Sequence, residues 1–428
     1  MKTAARSFAA GILALLARAI LHKYKPQVVM VTGSVGKTST KDATAAALSG
    51  RFYLRASEKS YNSEFGVPLT IIGAKNPWSD AVGWSAVIGE ALALVLFPNH
   101  YPKLLVLEVG ADRPGDLARI LEIGIPDAVI VTRLPDVPVH VESYATPAAV
   151  REEEFTPAYG LRKGSPLIVS ADDGYAKDLA GRLSASTTTY GFDASADIRL
   201  SDPEVVYGED EVIGMRSRVH VAGTPYDLMV RGALGRQQLY APAAALACAL
   251  ALGLPPEEAL AGLQAYVPPP GRSRILKGKN HSTLIDDTYN ASPAAVEEIL
   301  ASLHLVKAKR RIVILGDMLE LGRFSVAEHE RIGKLAAEHA DMVVGVGARS
   351  VKITEAARAG GKSERDALHF LSSESAAEAL ADVPRPGDVI LIKASQGIRA
   401  ERITKALLAD SRDEEQLVRQ DPQWLKKV

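Results

Sequence analysis

The first feature of this chain that could do chemistry is a glycine-rich loop. Residues 32–38 read TGSVGKT and follow the apolar run QVVMV. Such glycines let backbone N–H groups turn toward phosphate oxygens, a following helix N-terminus favours negative charge, and the lysine reaches the outer phosphates. Val31 stands where the usual G-x-x-x-x-G-K-[ST] pattern has its first glycine. We predict a nucleotide-binding loop that leads into a helix starting at Ser39. The residues expected to bind the nucleotide are Gly33, Ser34, Val35, Gly36, Lys37, Thr38 and Ser39.

Two polar residues are expected beside this loop. Glu108 ends the run KLLVLE, and His140 follows the run DAVIVTRL. Since α/β sheets bind ligands outside the carboxyl ends of their strands, both side chains should reach the same edge. With the hydroxyl of Thr38, they could hold the magnesium ion that accompanies ATP. The alternatives are a solvated strand-end carboxylate and an isolated loop histidine.

The composition restricts the class of protein. The 428 residues are enough for roughly two to three domains. Fifty basic and fifty-one acidic residues leave no bulk charge to favour nucleic acid. The single cysteine, Cys248, excludes a disulfide framework and a zinc site built from cysteines. We expect a cytoplasmic protein and a monomer.

Two apolar stretches are each predicted to form a helix. Residues 8–21 are too short for the ~20 residues of a spanning helix, and Arg18 interrupts them. We predict a helix packed against the protein body, with peripheral membrane contact through residues 8–21 as the alternative. Residues 81–97 are predicted to form a buried helix that packs on the first.

The order of patterns predicts an α/β fold with two main domains. Short apolar runs alternate with helix-like segments, as parallel strands covered by helices do. Residues 186–231 alternate apolar and polar residues between turns, which predicts an antiparallel meander. The prolines of residues 268–271 indicate a junction. We predict an N-terminal apolar helix (1–25), a central P-loop domain with a mostly parallel sheet plus the meander (26–267), and a Rossmann-like C-terminal domain (268–428).

Several stretches together resemble the Mur ligases, in the order that this family has them. They are TGSVGKTST (32–40), YNSEFGVPLT (61–70), EVGADRPGD (108–116), PGRSR (270–274), IDDTYNASP (285–293), LGDMLELG (315–322) and IKASQGIRAERI (392–403). Two of these stretches, IDDTYNASP and LGDMLELG, resemble the members that add D-alanyl-D-alanine to UDP-N-acetylmuramoyl-tripeptide in peptidoglycan synthesis. The resemblance implies that ATP phosphorylates a carboxylate and that an amine attacks the acyl phosphate, giving an amide, ADP and phosphate.

The resemblance also implies roles for individual residues. Lys37, Glu108, His140 and Arg272 would be catalytic, with Arg272 reaching the phosphates from the second domain. Thr38, Glu108 and His140 would hold magnesium, and Asp317 would contact the ribose. Asn62 and Thr70 would face the carboxylate substrate. Tyr289 and Asn290 would help to place the incoming dipeptide.

The chain departs from the family pattern in three places. Glu154 aligns with a lysine that many members carbamylate to hold a second metal; it could replace that lysine, or belong to a solvated acidic helix face. Gln238 stands near the residues that meet adenine and could bind the base edge. The family's amino-terminal UDP-sugar domain has no counterpart in residues 1–25.

Other functions stay open on the same scaffold. A folylpolyglutamate-synthase-like ligase would share the loop, but IDDTYNASP and GDMLELG argue against it. An amidotransferase subunit of the Mur type usually carries a cysteine cluster, which one cysteine cannot form. A non-catalytic ATP-binding module at the membrane is favoured by the changed lysine position and opposed by the intact Lys37, Thr38, Glu108 and His140.

Overall fold

The structure, a computed structural model, describes residues 2–58, 61–78, 80–209, 211–420 and 424, without the side chains of residues 2–8. It contains two sheets. The first comprises β1 (Gln27–Thr32), β2 (Leu54–Ala56), β3 (Leu104–Glu108), β4 (Ala128–Val131), β5 (Pro166–Ser170), β6 (Ser186–Gly191), β7 (Ile198–Tyr207), β8 (Val212–Val221) and β9 (Thr224–Arg231), in the order β2-β3-β1-β4-β5-β6-β7-β8-β9. The second comprises β10 (Arg274–Gly278), β11 (Ser282–Asp287), β12 (Arg310–Gly316), β13 (Met342–Val346), β14 (Ala367–Phe370) and β15 (Asp388–Lys393), in the order β10-β11-β15-β12-β13-β14.

Fourteen helices are present in the described part of the chain. The first nine are α1 (Lys2–Tyr24), α2 (Lys37–Leu48), α3 (Gly66–Ile72), α4 (Ala81–Leu96), α5 (Asp116–Ile123), α6 (Pro147–Tyr159), α7 (Gly174–Ala180), α8 (Tyr240–Ala251) and α9 (Pro256–Leu263). Five follow the connection between the sheets: α10 (Pro293–Ser302), α11 (Ser325–His339), α12 (Val351–Ala359), α13 (Ser373–Leu380) and α14 (Glu401–Leu407).

The central strands are apolar along their length because both faces of the sheet are covered. In β1, Val29 and Val31 face one core together with residues of α2 and α8. Val28 and Met30 face the opposite core, which contains residues of α1, α3 and α5. The first core continues into the second domain, so the two sheets are packed against a shared set of apolar side chains.

The predicted fold class is confirmed, with one correction in the meander. Strands β7, β8 and β9 are antiparallel neighbours, as the alternation predicted. Strand β6 instead pairs in parallel with β5 and β7. Its residues Thr187–Thr189 are polar and only partly covered, unlike the apolar residues of the central parallel strands.

Helix α1 packs against the body, as predicted. Leu13, Ala17 and Ile20 are buried in the core that it shares with α3, α4 and α5. At its carboxyl end, the ammonium of Lys23 donates hydrogen bonds to the carbonyls of Leu94 (2.7 Å), Val95 and Phe97 at the end of α4. The prediction that residues 81–97 form a buried helix is wrong, because α4 buries one narrow side only.

None of the described helices combines the length and apolar character needed to cross a membrane.

Candidate active site

Two adjacent cavities lie where the carboxyl ends of the two sheets approach each other. The first has a volume of about 670 Å³ and the second about 570 Å³. Five residues line both: Val35, Gly36, Arg272, Ala295 and Lys393. The phosphate loop therefore stands at the boundary between a cavity on the β3 side and a cavity on the β5 and β6 side.

Helix α2 begins at Lys37, two residues earlier than predicted. Gly36 has φ +91°, a left-handed conformation that glycine adopts without strain, and helical residues start at Lys37. The first N–H groups of a helix have no intrahelical acceptor and attract anions. Ser34 lines the first cavity, and its buried hydroxyl has no hydrogen-bond partner among the described residues. These groups fit a phosphate chain.

Lys37 is folded back onto its own loop. Its ammonium donates to the Gly33 carbonyl and lies 3.5 Å from Oε1 of Glu154. The other carboxylate oxygen of Glu154 accepts from the Gly33 N–H (3.3 Å) and the Thr32 hydroxyl (3.2 Å). Burial raises the pKa of Glu154, and the charge of Lys37 partly offsets this effect. Glu154 thus stands behind the loop, outside the walls of both cavities, rather than on a solvated helix face.

Glu108 lies in the first cavity with one oxygen free. Its Oε1 accepts from the Thr38 hydroxyl at 3.2 Å, whereas its buried Oε2 has no partner within the described chain. Burial raises the pKa of Glu108, while the charges of Lys41, Lys37 and Arg272 lower it.

An unpaired carboxylate oxygen beside a hydroxyl fits a hard cation, which prefers oxygen ligands. Within the described residues no group of three or more His, Cys, Asp and Glu side chains could hold a metal by itself. That suits magnesium, which is commonly bound by one or two carboxylates together with substrate phosphates.

His140 connects the two domains. Its Nδ1 lies 2.9 Å from Oε2 of Glu320 in the second domain, and its Nε2 lies 3.6 Å from Oδ1 of Asp112. Burial lowers the pKa of His140, but the hydrogen bond and charge of Glu320, with the charge of Asp112, outweigh it and raise the pKa overall. His140 lines the first cavity, and a metal contact would have to replace one of these carboxylates.

Arg272 brings a cation from the second domain to the loop. Its Nη2 donates to the Thr38 hydroxyl at 3.3 Å, and its guanidinium stacks 3.9 Å from the ring centre of Tyr289. The preceding Gly271 has φ +67°, and an added Cβ would lie 2.9 Å from the Tyr289 backbone nitrogen. A glycine is needed there, so the junction fixes where Arg272 points.

The structure brings most of the predicted site residues together. The first cavity is lined by Ser34, Val35, Gly36, Lys37, Thr38, Asn62, Glu108, His140, Arg272, Tyr289 and Asn290. Ser39 and Gln238 line the second cavity. Gly33 lies beneath the loop, where an added Cβ would clash with Thr132.

Besides Gly33 and Glu154, two more predicted residues lie outside both cavities, Thr70 and Asp317. Thr70 is buried in α3, and its hydroxyl donates to the Gly66 carbonyl at 3.0 Å, one turn earlier in the helix. The carboxylate of Asp317 accepts from the N–H groups of Arg349 (2.9 Å) and Ser350 (2.8 Å), so it organises the turn after β13. These contacts do not test the expectations that Thr70 faces the carboxylate substrate and that Asp317 contacts ribose, and both stay predictions.

Four residues around the cavities were not among the predicted site residues. Lys393 ends β15, lines both cavities and pairs with Asp287 at 2.7 Å. Glu320 and the ion pair Arg133–Glu298 join the domains around the cavities. The position of Lys393 after a buried strand was a usable signal, whereas the interdomain partners depend on how the domains meet.

Comparison with known proteins agrees with this geometry. The model of the Mur ligase middle domain matches residues 31–249, and that of the Mur ligase glutamate ligase domain matches residues 271–396. The chain therefore belongs to the Mur ligase family. The predictions of this family and of an ATP-dependent ligase are confirmed.

Individual relatives cover nearly the whole chain. UDP-N-acetylmuramoyl-tripeptide–D-alanyl-D-alanine ligase of Bacillus subtilis is 26% identical over 395 residues, 92% of this chain and 78% of that protein. The MurF ligase of Thermotoga maritima in complex with ADP superposes with a TM-score of 0.77 at 26% identity, covering 95% of this chain and 84% of that one. Folylpolyglutamate synthase of Mycobacterium tuberculosis gives a TM-score of 0.63 at 14% identity, covering 92% and 95%, which shows the shared fold alone.

Proposed function

We propose that this chain joins D-alanyl-D-alanine to a UDP-N-acetylmuramoyl-tripeptide, using ATP and forming ADP and phosphate, in peptidoglycan synthesis. The observation that carries the proposal is the convergence of Lys37, Glu108 and Arg272 from two domains on one cavity. The relatives of this name support the choice of substrates.

In the first step, the tripeptide carboxylate attacks the γ-phosphate of ATP and ADP leaves. The amides at the start of α2 and the ammonium of Lys37 bind the phosphates, and Arg272 offsets the charge that develops on the transferred group. Thr38 and Glu108, with His140 once it leaves Glu320, would hold magnesium, which would supply positive charge to the phosphates.

In the second step, the amine of the dipeptide attacks the acyl phosphate and phosphate leaves. Asn62 lines the cavity on the side of β3, and Tyr289 and Asn290 line it on the side of the second domain. We assign Asn62 to the carboxylate substrate and the other two to the dipeptide. In the second cavity we assign Gln238 to the edge of the adenine.

Glu154 takes the place of the modified lysine in this proposal. Its carboxylate lies 3.5 Å from the Lys37 ammonium, and the charge of His140 acts on it as well. It therefore supplies negative charge behind the loop, where a carbamate would, without a requirement for carbon dioxide.

We infer that one chain is the functional unit and that it acts in the cytoplasm. Arg272 and the loop that it meets come from the same chain, so the cavity needs no second copy. The cytoplasm supplies the ATP. The apolar stretch of α1 packs on the body of the protein through Leu13, Ala17 and Ile20.

The test is the identity of the amide formed. Purified protein with ATP, magnesium and UDP-N-acetylmuramoyl-tripeptide is offered D-alanyl-D-alanine, L-alanyl-L-alanine or L-glutamate, and the products are weighed by mass spectrometry. We expect the pentapeptide with D-alanyl-D-alanine alone. A product from glutamate and a folate in parallel reactions, with none from the muramoyl peptide, would support the folylpolyglutamate alternative.

A further inference from the structure

Helix α4 presents a broad apolar surface to solvent. Of its sixteen residues, Val87, Ala91 and Leu94 are buried, and a broad half of the helix faces solvent. The exposed residues, here called the α4 face, are Ala81, Val82, Ser85, Ala86, Gly89, Leu92, Ala93, Leu96 and the following Phe97. The largest of them are well exposed: Val82 78%, Leu96 68%, Phe97 64% and Leu92 43%.

Charge is nearly absent from this face. At 100° per residue, the exposed positions span about half of the helix circumference. Glu90, the helix's only charged residue, falls at the margin of that arc, beside Phe97. A solvent-facing helix of a globular protein normally carries charged and polar residues there, and a contiguous exposed apolar patch marks an interaction site.

The helix next to α4 carries positive charge. Helix α1 lies beside α4, as the hydrogen bonds of Lys23 to the end of α4 show. Its sequence contains no acidic residue, and its solvent side carries Leu15, Arg18 and His22, with Lys25 exposed just after it. Arg18 and Lys25 give the solvent side of α1 positive charge, and an apolar strip next to such a helix is complementary to a bilayer surface with anionic headgroups.

We propose that the α4 face docks on anionic lipid bilayers, lying in the headgroup region with Arg18, His22 and Lys25 toward the lipid phosphates. This is a peripheral contact and does not depend on the proposed reaction. A second copy of the chain fits less well. Sixteen helical residues extend about 24 Å, and a helix is about 10 Å wide, so the face offers on the order of 240 Å². A stable dimer needs about 800 Å² from each partner.

The side of α4 opposite the docking surface packs on the segment that leads to the first cavity. Trp84 on the buried side of α4 packs edge-on against Phe65, with ring centres 6.1 Å apart. Phe65 follows the segment of Asn62, which lines the first cavity. Helix α4 is thus connected through Phe65 to the segment that contributes Asn62 to the first cavity.

Flotation of the full chain with vesicles tests the proposal. Vesicles of equal parts phosphatidylglycerol and phosphatidylcholine are compared with phosphatidylcholine alone. We expect wild type to float with the anionic vesicles, and the variant L92S/L96S to bind them at least about tenfold more weakly, because two leucines no longer enter the interface. E90Q, which removes the marginal negative charge, should bind roughly fivefold more tightly.

A matched control distinguishes the α4 face from exposed apolar residues elsewhere on the protein. Leu371 and Val326 are 76% and 56% exposed in the second domain, and L371S/V326S should float as wild type does. Unchanged ATP binding verifies that each variant is folded. The proposal is overturned if wild type does not float, if L92S/L96S floats equally, or if neutral vesicles bind as well as anionic ones. Sedimentation that shows a dimer dissociated by L92S/L96S would assign the face to a second copy instead.

Discussion

Replacing Glu154 tests whether a permanent carboxylate does the work of a modified lysine in this chain. Glu154 is 1% exposed and its nearest cationic atom is Nζ of Lys37, 3.5 Å away. At that distance, and with an effective dielectric constant of about 20, the attraction is worth about 5 kcal/mol before desolvation is counted. Because desolvation and relaxation offset much of this, we expect about 3 kcal/mol to appear as lost function.

This magnitude corresponds to a fall of roughly 100-fold in kcat/KM for ATP in Glu154→Ala. Glu154→Gln keeps the volume and one acceptor for the Gly33 N–H, so its fall should be nearer tenfold. Glu154→Gln should also need a higher magnesium concentration than wild type to reach its half-maximal rate. Glu154→Lys should be inactive in carbonate-free buffer and recover in part when bicarbonate is added.

The assay is steady-state ADP release at varied ATP, magnesium and bicarbonate. Glu152→Gln is the control, because this neighbour is exposed and pairs with Arg182 at 3.2 Å, away from the loop. If Glu154→Ala and Glu154→Gln both keep kcat/KM within about twofold of wild type, Glu154 is a packing residue and the reasoning fails.

Three further predictions concern the junction, the first helix and the cysteine. Arg272→Lys should lower kcat about 100-fold at saturating ATP, because lysine loses the planar stack on Tyr289 and the forked donors; a near-normal kcat would remove Arg272 from the phosphates. Ile20→Ala should lower the free energy of unfolding by about 2–4 kcal/mol in urea titrations, since Ile20 is fully buried; a loss under about 1 kcal/mol would mean that α1 is not packed as described. Burial raises the pKa of the Cys248 thiol to about 12, so a thiol reagent at pH 8 should label the protein only when urea unfolds it; fast labelling of folded protein would contradict the buried position.

The parts of the site that the sequence predicted are those set by local pattern. A strand, a glycine turn and a helix start follow one another at residues 27–38, so the loop could be placed from its own residues. Glu108 could be placed because it ends a buried strand, and parallel strands end at one edge. Arg272 depended on the family resemblance, since nothing local predicts which cavity the residue after three prolines enters.

The parts that the sequence did not predict depend on tertiary contacts. Glu320 meets His140 only because the two domains pack together, and no spacing in the sequence encodes that distance. The Asp317 carboxylate accepts from the N–H of Arg349, a contact that no spacing in the sequence encodes. Helix α4 has the composition of a buried helix, yet the fold supplies neighbours for one side only.

The most direct test of the account is ADP release by the full chain with ATP, magnesium and UDP-N-acetylmuramoyl-tripeptide, with and without D-alanyl-D-alanine, beside Lys37→Ala. The account predicts sustained turnover that requires both substrates and is lost in Lys37→Ala, whose ammonium lies in the phosphate loop. Absence of turnover from wild-type protein that still binds ATP, or turnover that Lys37→Ala retains, would contradict it.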